Sequence, residues 1–201
     1  MAEDSPLIVT ILDGAIAIIR FNRPAQRNPL SISTLSDLEG TLLELMPRDD
    51  VKALIFTGNA DGFASGANIR ELAKLDSISA LQFSQLGQRV FQRIADAPQL
   101  TIVAISGYCM GGALDLALAC DLRIASIDAI LTHPGARLGI ITGWGGTQRL
   151  PRLIQKGLAL ELFLTGRRIT AAEALEVGLV SRVSDYALDT AISIAREAPV
   201  K

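Results

Sequence analysis

The stretch DGFASGANIREL, residues 61–72, follows an apolar run and contains four small residues in succession. The run before it, Ala53–Thr57, has the length and composition of a fully buried strand. No charged residue lies between Asp61 and Arg70, and a simple turn needs fewer small residues than this. The segment therefore either packs closely against its neighbours, or its backbone N–H groups contact a ligand.

The same arrangement occurs a second time further along the chain. Thr101–Ile105 is another predicted buried strand, and the glycine-rich apolar run GGALDLALACDLRIA (111–125) follows it. In α/β folds, ligands bind beyond the carboxyl ends of the strands. We therefore expect the turns around Ala67 and Gly112 to line one site. Exposed N–H groups there would suit a carbonyl oxygen that becomes anionic.

The remaining elements predict an α/β fold with a mostly buried, partly parallel sheet. Leu7–Leu12 and Ala15–Phe21 are predicted strands joined at Asp13-Gly14, a dipeptide typical of hairpins. Two amphipathic helices are predicted from apolar residues at helical spacing, and Pro47 ends the first. Their apolar positions are Leu35, Leu38, Leu42 and Leu45, then Phe83, Leu86, Val90 and Ile94. Because no linker interrupts this order, we predict a single domain over residues 1–201.

Composition and charge limit the class of protein. Of the 201 residues, 49% are hydrophobic and 20% are charged, which indicates a globular protein with a sizeable core. A net charge of −2 gives no electrostatic reason to expect nucleic acid. The start of the chain is acidic, and no apolar run reaches the ~18 residues of a membrane span. Cys109 and Cys120 lie in apolar stretches and are expected to be reduced, so we predict a cytoplasmic protein.

Common catalytic and phosphate-binding motifs fail on inspection. The segment GWGGTQR (143–149) has Gln148 where a dinucleotide-binding motif requires its third glycine. Neither a Walker A motif nor a nucleophile elbow occurs. No metal-ligand cluster is visible, and a lone histidine before a proline, as His133 is, more often has a structural role.

Four segments together resemble one family. They are FASGANI (63–69), GYCMGGALDLALACD (107–121), GWGGTQRLPR (143–152) and LTGRRITAAEALEVGLV (164–180). In order and spacing they resemble the successive signatures of the enoyl-CoA hydratase/isomerase (crotonase) superfamily. The resemblance implies a spiral of ββα units that binds an acyl-CoA thioester. Because coenzyme A is part of that substrate, no separate cofactor is expected.

The resemblance also implies roles for particular residues. Ala67 and Gly112 match the two positions whose backbone N–H groups hold the thioester oxygen and stabilise an enolate. A small, neutral segment lets an N–H group, rather than a side chain, meet the substrate. The positions that match coenzyme A contacts are Arg27, Ala64, Ser65, Gly66, Ala67, Asn68 and Ile69.

The acid/base positions depart from the family pattern. Asp115 stands where the hydratases carry their first glutamate, and Gly135 stands where the second is normal. A glutamate at 135 is therefore expected to raise hydratase activity. His133 is a possible substitute base, because two residues along an extended segment share a face. Three alternatives stay open: a hydratase, another enolate reaction (isomerase, decarboxylase or thioester hydrolase), or a non-catalytic acyl-CoA-binding protein.

The end of the sequence, DTAISIAREAPVK (189–201), is a second departure. Family members usually continue through further helices that cover the acyl pocket and build a trimer interface. We therefore expect the C-terminal helical part to be missing or short. The resemblance implies a homotrimer or hexamer.

Overall fold

Six strands form the larger sheet of the computed structural model, which describes residues 5–59 and 62–198. In spatial order they are β1 (Leu7–Leu12), β2 (Ile16–Phe21), β4 (Ala53–Thr57), β7 (Leu100–Ile105), β9 (Leu122–Ala125) and β12 (Arg182–Val183). Strands β1 and β2 form the predicted antiparallel hairpin, and the other neighbours pair in parallel. Asp13 and Gly14 close the hairpin with φ of 53° and 69°.

Two smaller sheets are formed by short strands. The four-stranded sheet has the order β11 (Arg168–Thr170), β10 (Ile130–Thr132), β8 (Tyr108–Met110) and β5 (Gly62–Ala64). Three of these strands, β5, β8 and β10, follow the carboxyl ends of β4, β7 and β9. The two-stranded sheet pairs β3 (Pro29–Leu30) with β6 (Gly66–Ala67). These short strands were not predicted, because runs of two or three residues show no hydrophobic period. Asp61 of the stretch 61–72 lies outside the described residues.

Eight α-helices connect the strands within the described residues. They are α1 (Ile32–Leu45), α2 (Ile69–Leu72), α3 (Ser77–Ala95), α4 (Gly112–Ala119), α5 (Gly146–Leu153), α6 (Lys156–Thr165), α7 (Ala171–Glu176) and α8 (Ala187–Glu197). Short 3₁₀ helices span Pro24–Gln26 and Pro134–Leu138. Helix α1 has Ser31 as its N-cap and Met46 as its C-cap, so it ends before Pro47 as predicted. Every described helix is too short or too polar to span a bilayer.

One structural unit repeats three times. Each unit has a strand in the six-stranded sheet, a short strand in the four-stranded sheet and then a helix. The units are β4–β5–α3, β7–β8–α4 and β9–β10–α5. This arrangement is the expected spiral of ββα units. It repeatedly brings the turn before a helix to the same edge of the larger sheet.

Apolar side chains cover both faces of the larger sheet. Helices α1, α3 and α4 pack on one face, while Ala187, Ala191 and Ala195 of α8 pack on the other. Cys109 and Cys120 are free and buried, as predicted, and this burial raises the pKa of both thiols. Assignment of all residues 1–201 to a single domain stays a prediction.

Candidate active site

The two small-residue turns touch each other. Gly66 has φ of 85°, and a Cβ atom at this position would lie 2.4 Å from the Met110 carbonyl oxygen. The same atom would lie 2.8 Å from the Gly112 nitrogen. A glycine is therefore required for the close approach of β6 to the start of α4. As predicted, the residues Ala67 and Gly112 line one cavity.

This cavity has a volume of about 310 Å³ and a mostly apolar lining. Its polar side chains include those of Asp115, His133 and Thr142. The apolar lining residues include Leu72, Leu75, Phe83, Leu138, Ile140, Ile141 and Trp144. An apolar wall with a few convergent polar groups is typical of a small-molecule site.

Gly112 begins helix α4, so its N–H group has no partner within the helix and lies at the positive end of the helix dipole. The indole of Trp144 packs directly against it. A Cβ atom at Gly112 would lie 2.2 Å from the indole ring. Trp144 is itself held by edge-on contacts with Phe83 and Phe91, whose ring centroids lie 5.0 and 5.5 Å away. The position of the Gly112 N–H group is therefore fixed by aromatic packing.

Asp115 lies one turn into helix α4 and has no solvent exposure. Its Oδ2 atom accepts a hydrogen bond from the hydroxyl of Thr142. Its Oδ1 atom lies 3.4 Å from Nε2 of His133. Gly146, the first residue of α5, leaves room for this carboxylate, since a Cβ atom there would lie 2.0 Å from Oδ1. The structure thus brings together the two acid/base candidates, Asp115 and His133.

His133 is buried directly after β10, as the N-cap residue of the 3₁₀ helix Pro134–Leu138. Its ring packs edge-on against Phe163, with 5.2 Å between the ring centroids. Because the chain turns at Pro134, residues 133–135 are not the extended segment that was expected from the sequence. His133 and Gly135 nevertheless both line the cavity.

Comparison with known proteins identifies the family. The enoyl-CoA hydratase/isomerase family profile matches residues 12–198. The chain belongs to the enoyl-CoA hydratase/isomerase family. A short-chain-enoyl-CoA hydratase of Clostridium acetobutylicum is 37% identical over 188 residues, which cover 92% of this chain and 72% of that protein. A crotonyl-CoA hydratase of Syntrophomonas wolfei is 39% identical over 84% of this chain and 65% of its own length.

Solved structures confirm the crotonase-like fold expected from the sequence. The crystal structure of an enoyl-CoA hydratase from Bacillus anthracis superposes with a TM-score of 0.92 at 37% identity. The match covers 96% of this chain and 76% of that one. The chain thus spans about three quarters of the length of that solved structure.

Gly135 departs from the hydratase/isomerase pattern, and the structure shows what surrounds it. A Cβ atom at this position would lie 2.7 Å from the carbonyl oxygen of Ile140. Residues 135 and 140 are also joined by a backbone hydrogen bond, because the Ile140 N–H group donates to the Gly135 carbonyl at 3.0 Å. Any side chain at 135 therefore requires the loop 135–140 to move.

The segment expected to contact coenzyme A alternates between two environments. Ser65, Ala67 and Ile69 line the cavity. Ala64 and Gly66 are buried behind them. Asn68 caps helix α2 by accepting a hydrogen bond from the Arg70 N–H group at 3.1 Å. The odd-numbered residues of this family segment are therefore the ones that a ligand in the cavity can reach.

Arg27 lies beside this segment without lining the cavity. Its side chain is exposed, and its backbone carbonyl accepts a hydrogen bond from the Ser65 N–H group at 3.0 Å. The side-chain amide of the adjacent residue, Asn28, is buried and donates to the Phe63 carbonyl at 2.9 Å. The predicted coenzyme A segment and the first loop are thus joined by a backbone and a side-chain hydrogen bond.

Sequence reasoning missed two side chains of the site, Thr142 and Trp144. Thr142 precedes the segment GWGGTQRLPR (143–152) and Trp144 belongs to it, but neither the glycine pattern nor the family resemblance gave these side chains a role. Thr142 orients Asp115, and Trp144 supports Gly112. A tryptophan among glycines was the available signal, since a large ring next to small residues indicates close packing. Among the residues that the structure describes, no group of three His, Cys, Asp or Glu side chains could hold a metal ion.

Proposed function

We propose that this protein is an enzyme of the enoyl-CoA hydratase/isomerase type that acts on an acyl-CoA thioester through an enolate. The observation that carries the proposal is the buried Asp115 carboxylate in an apolar cavity that Ala67 and Gly112 also line. Such a cavity strengthens each hydrogen bond to a developing negative charge, because water is excluded.

In the proposed reaction, the thioester oxygen accepts hydrogen bonds from the N–H groups of Ala67 and Gly112. These donors stabilise the enolate when charge moves onto that oxygen. Asp115 exchanges a proton with the substrate carbon next to the thioester. The Thr142 hydroxyl supports this role, because it holds one carboxylate oxygen and fixes the direction of the other.

Short enoyl-CoA thioesters are the proposed substrates. The relatives from Clostridium acetobutylicum and Syntrophomonas wolfei are named as a short-chain-enoyl-CoA hydratase and a crotonyl-CoA hydratase. The cavity of about 310 Å³ is at the small end of ligand pockets, which supports a short acyl group. The nucleotide part of coenzyme A would then lie towards Ser65 and Ile69, with Arg27 available to its phosphates.

Double-bond isomerisation is the second candidate, and Gly135 favours it. Hydration needs one group to activate water and another to deliver a proton to carbon, whereas isomerisation can use a single group in both steps. Asp115 alone would be sufficient for that reaction. Decarboxylation and thioester hydrolysis, and acyl-CoA binding without turnover, remain the further alternatives.

Three other features belong to the proposal. The reaction needs no cofactor besides the coenzyme A of its substrate. A homotrimer or hexamer is proposed by family resemblance. A cytoplasmic location is proposed from the two reduced, buried cysteines.

Turnover of crotonyl-CoA by the purified chain tests the proposal. Hydration removes the conjugated absorbance of the enoyl thioester, whereas isomerisation of a 3-enoyl-CoA creates it. We expect loss of absorbance with crotonyl-CoA and saturation at increasing substrate. Thioester binding by calorimetry with no turnover of either substrate would contradict the enzymatic proposal and favour a binding protein.

A further inference from the structure

Two buried polar atoms beside the cavity have no hydrogen-bond partner. Among the residues that the structure describes, they are Oδ1 of Asp115 and Nε2 of His133, with Oε1 of Gln99 elsewhere in the fold. The two site atoms are 3.4 Å apart but lack hydrogen-bond geometry. A buried polar atom left unpaired is destabilising, because it has lost its hydrogen bonds to water. Such a pair at a cavity therefore indicates a polar ligand that contacts both atoms.

Neighbouring side chains hold both groups in these orientations. Thr142 occupies the other oxygen of Asp115, and Phe163 packs against the His133 ring. Asp115 and His133 are also almost completely buried, with side-chain exposures of 1% and 7%. A ligand shared by a carboxylate oxygen and an imidazole nitrogen must be small and able both to donate and to accept. Water meets this requirement.

We propose that His133 and Asp115 together hold the water molecule that adds to the enoyl thioester, and that His133 replaces the carboxylate missing at position 135. This inference rests on the proposed function, because it assumes a thioester bound at Ala67 and Gly112. His133 is then a catalytic residue rather than a structural one.

The proposed step balances with one proton shared by the pair. The water oxygen bonds to the β-carbon of the substrate, and one water proton moves to Nε2 of His133. The electron pair of the C=C bond moves to the thioester, whose oxygen becomes the enolate. Asp115 then delivers its proton to the α-carbon, and the enolate electrons form the new C–H bond. Proton transfer across the 3.4 Å between Nε2 and Oδ1 restores the starting state.

Gly135 fits this assignment. A Cβ atom at 135 would lie 3.5 Å from Nδ1 of His133, in contact with the imidazole, and 2.7 Å from the Ile140 carbonyl. The imidazole of His133 therefore lies next to position 135, where the resemblance places the second carboxylate.

Two variants of His133, each measured in two reactions, test the inference. The variants are His133→Gln, which can hydrogen-bond water but accepts no proton, and His133→Ala. Crotonyl-CoA hydration is compared with solvent deuterium exchange at the α-carbon of butyryl-CoA, which needs enolate formation but no added water. We expect hydration to fall ~10²–10⁴-fold in both variants, the range for a positioned acid/base group. We expect exchange to fall much less, and added imidazole to restore hydration in His133→Ala.

Ala136→Ser is the matched control, because Ala136 is exposed on the same 3₁₀ helix and lies outside the cavity lining. It should keep the wild-type rates. Wild-type hydration in His133→Gln would overturn the inference and leave the proposed function intact. If the wild-type chain exchanges the α-proton but does not hydrate crotonyl-CoA, the inference is also overturned, in favour of isomerisation. Absence of both reactions in the wild type would instead contradict the proposed function.

A measurement on the wild-type chain keeps the test independent of variant folding. His133 is the one histidine in the sequence, so histidine labelled with ¹³C gives a single imidazole signal. We expect 3-hydroxybutyryl-CoA, whose hydroxyl replaces the water, to shift this signal, and free coenzyme A to leave it unchanged. An unchanged signal at saturating 3-hydroxybutyryl-CoA would overturn the inference.

Discussion

The backbone half and the side-chain half of the candidate site are built differently. In the backbone half, a Cβ atom at Gly66 would lie 2.4 Å from the Met110 carbonyl oxygen, and one at Gly112 would lie 2.2 Å from the Trp144 indole, so no larger residue fits. In the side-chain half, Asp115 and His133 keep one unpaired polar atom each. The first half is fixed by packing alone, whereas the second is complete only when a ligand is present. Substitutions in the two halves should therefore fail in different ways.

Asp115→Asn should produce the largest loss. The amide keeps the shape of the carboxylate and can still accept from Thr142, but it cannot exchange a proton. We expect hydration or isomerisation to fall ~10²–10⁴-fold, while calorimetry finds thioester affinity within a few-fold of wild type. Asp189→Asn, an exposed aspartate of helix α8, is the control for loss of charge. Equal activity in Asp115→Asn would leave Asp115 as a structural group.

Gly112→Ala should damage the backbone half through packing. The added Cβ would lie 2.2 Å from the Trp144 indole, so the start of helix α4 must shift and carry the N–H group with it. We expect the rate to fall ~10²–10³-fold, as for loss of one oxyanion donor. The melting temperature should fall as well, because the Trp144 ring is enclosed by Phe83 and Phe91.

A second substitution separates geometry from general destabilisation. Trp144→Phe withdraws the ring atoms nearest to position 112, so Gly112→Ala/Trp144→Phe should recover part of the lost rate. Kinetics and thermal unfolding of both single variants and the double variant give the coupling between the two sites. Purely additive losses would show that the indole does not set the position of the N–H group.

The sequence predicted the larger elements and the meeting of the two small-residue turns, for a physical reason. Ala53–Thr57 is a strand with the predicted boundaries, because a short apolar run followed by turn residues leaves little choice; all five of its residues are buried. Ala67 and Gly112 were found because glycine-rich turns after strands are local signals. Strands β5, β8 and β10 were missed, since each has three residues and owes its pairing to distant segments.

The side-chain half could be predicted only in part. Asp115 and His133 were named singly, but their separation of 3.4 Å depends on how β10 lies beside α4. Thr142 was missed for the same reason, because its hydrogen bond to Asp115 joins residues 27 positions apart. Contacts between elements arise from packing of the whole fold, so they produce no regular spacing of residues that could be recognised in the sequence.

Gly135→Glu tests whether the side-chain half lacks a carboxylate. Sequence alone predicts a gain in hydration at the low end of the ~10²–10⁴-fold provided by a positioned acid/base group. The structure reduces this expectation, because the new Cβ would lie 2.7 Å from the Ile140 carbonyl. Overpacking costs about 1–3 kcal/mol, and ~1.4 kcal/mol is tenfold in rate, so we expect a gain of less than about tenfold.

The same variant in a His133→Gln background sharpens the result. If His133 already supplies the second acid/base group, the glutamate should raise the rate more in His133→Gln than in wild type. Crotonyl-CoA hydration by the wild type, Gly135→Glu, His133→Gln and the double variant measures this difference. A gain near 10²-fold in the wild-type background would indicate that the missing carboxylate, rather than His133, limits the reaction.

Gly40→Ala is expected to have the smallest effect, and an effect of opposite sign to that of Gly112→Ala. Gly40 lies inside helix α1, and a Cβ atom there would meet nothing within 4 Å. Replacing a helical glycine by alanine restricts the unfolded chain, so we expect about 0.5–1 kcal/mol of added stability. For a chain of this length, that is a rise of about 1–4 °C in the melting temperature. Thermal unfolding followed by circular dichroism measures it, with hydration unchanged. If Gly40→Ala destabilised the protein as Gly112→Ala should, glycine contacts would not explain the special constraint on the backbone half of the site.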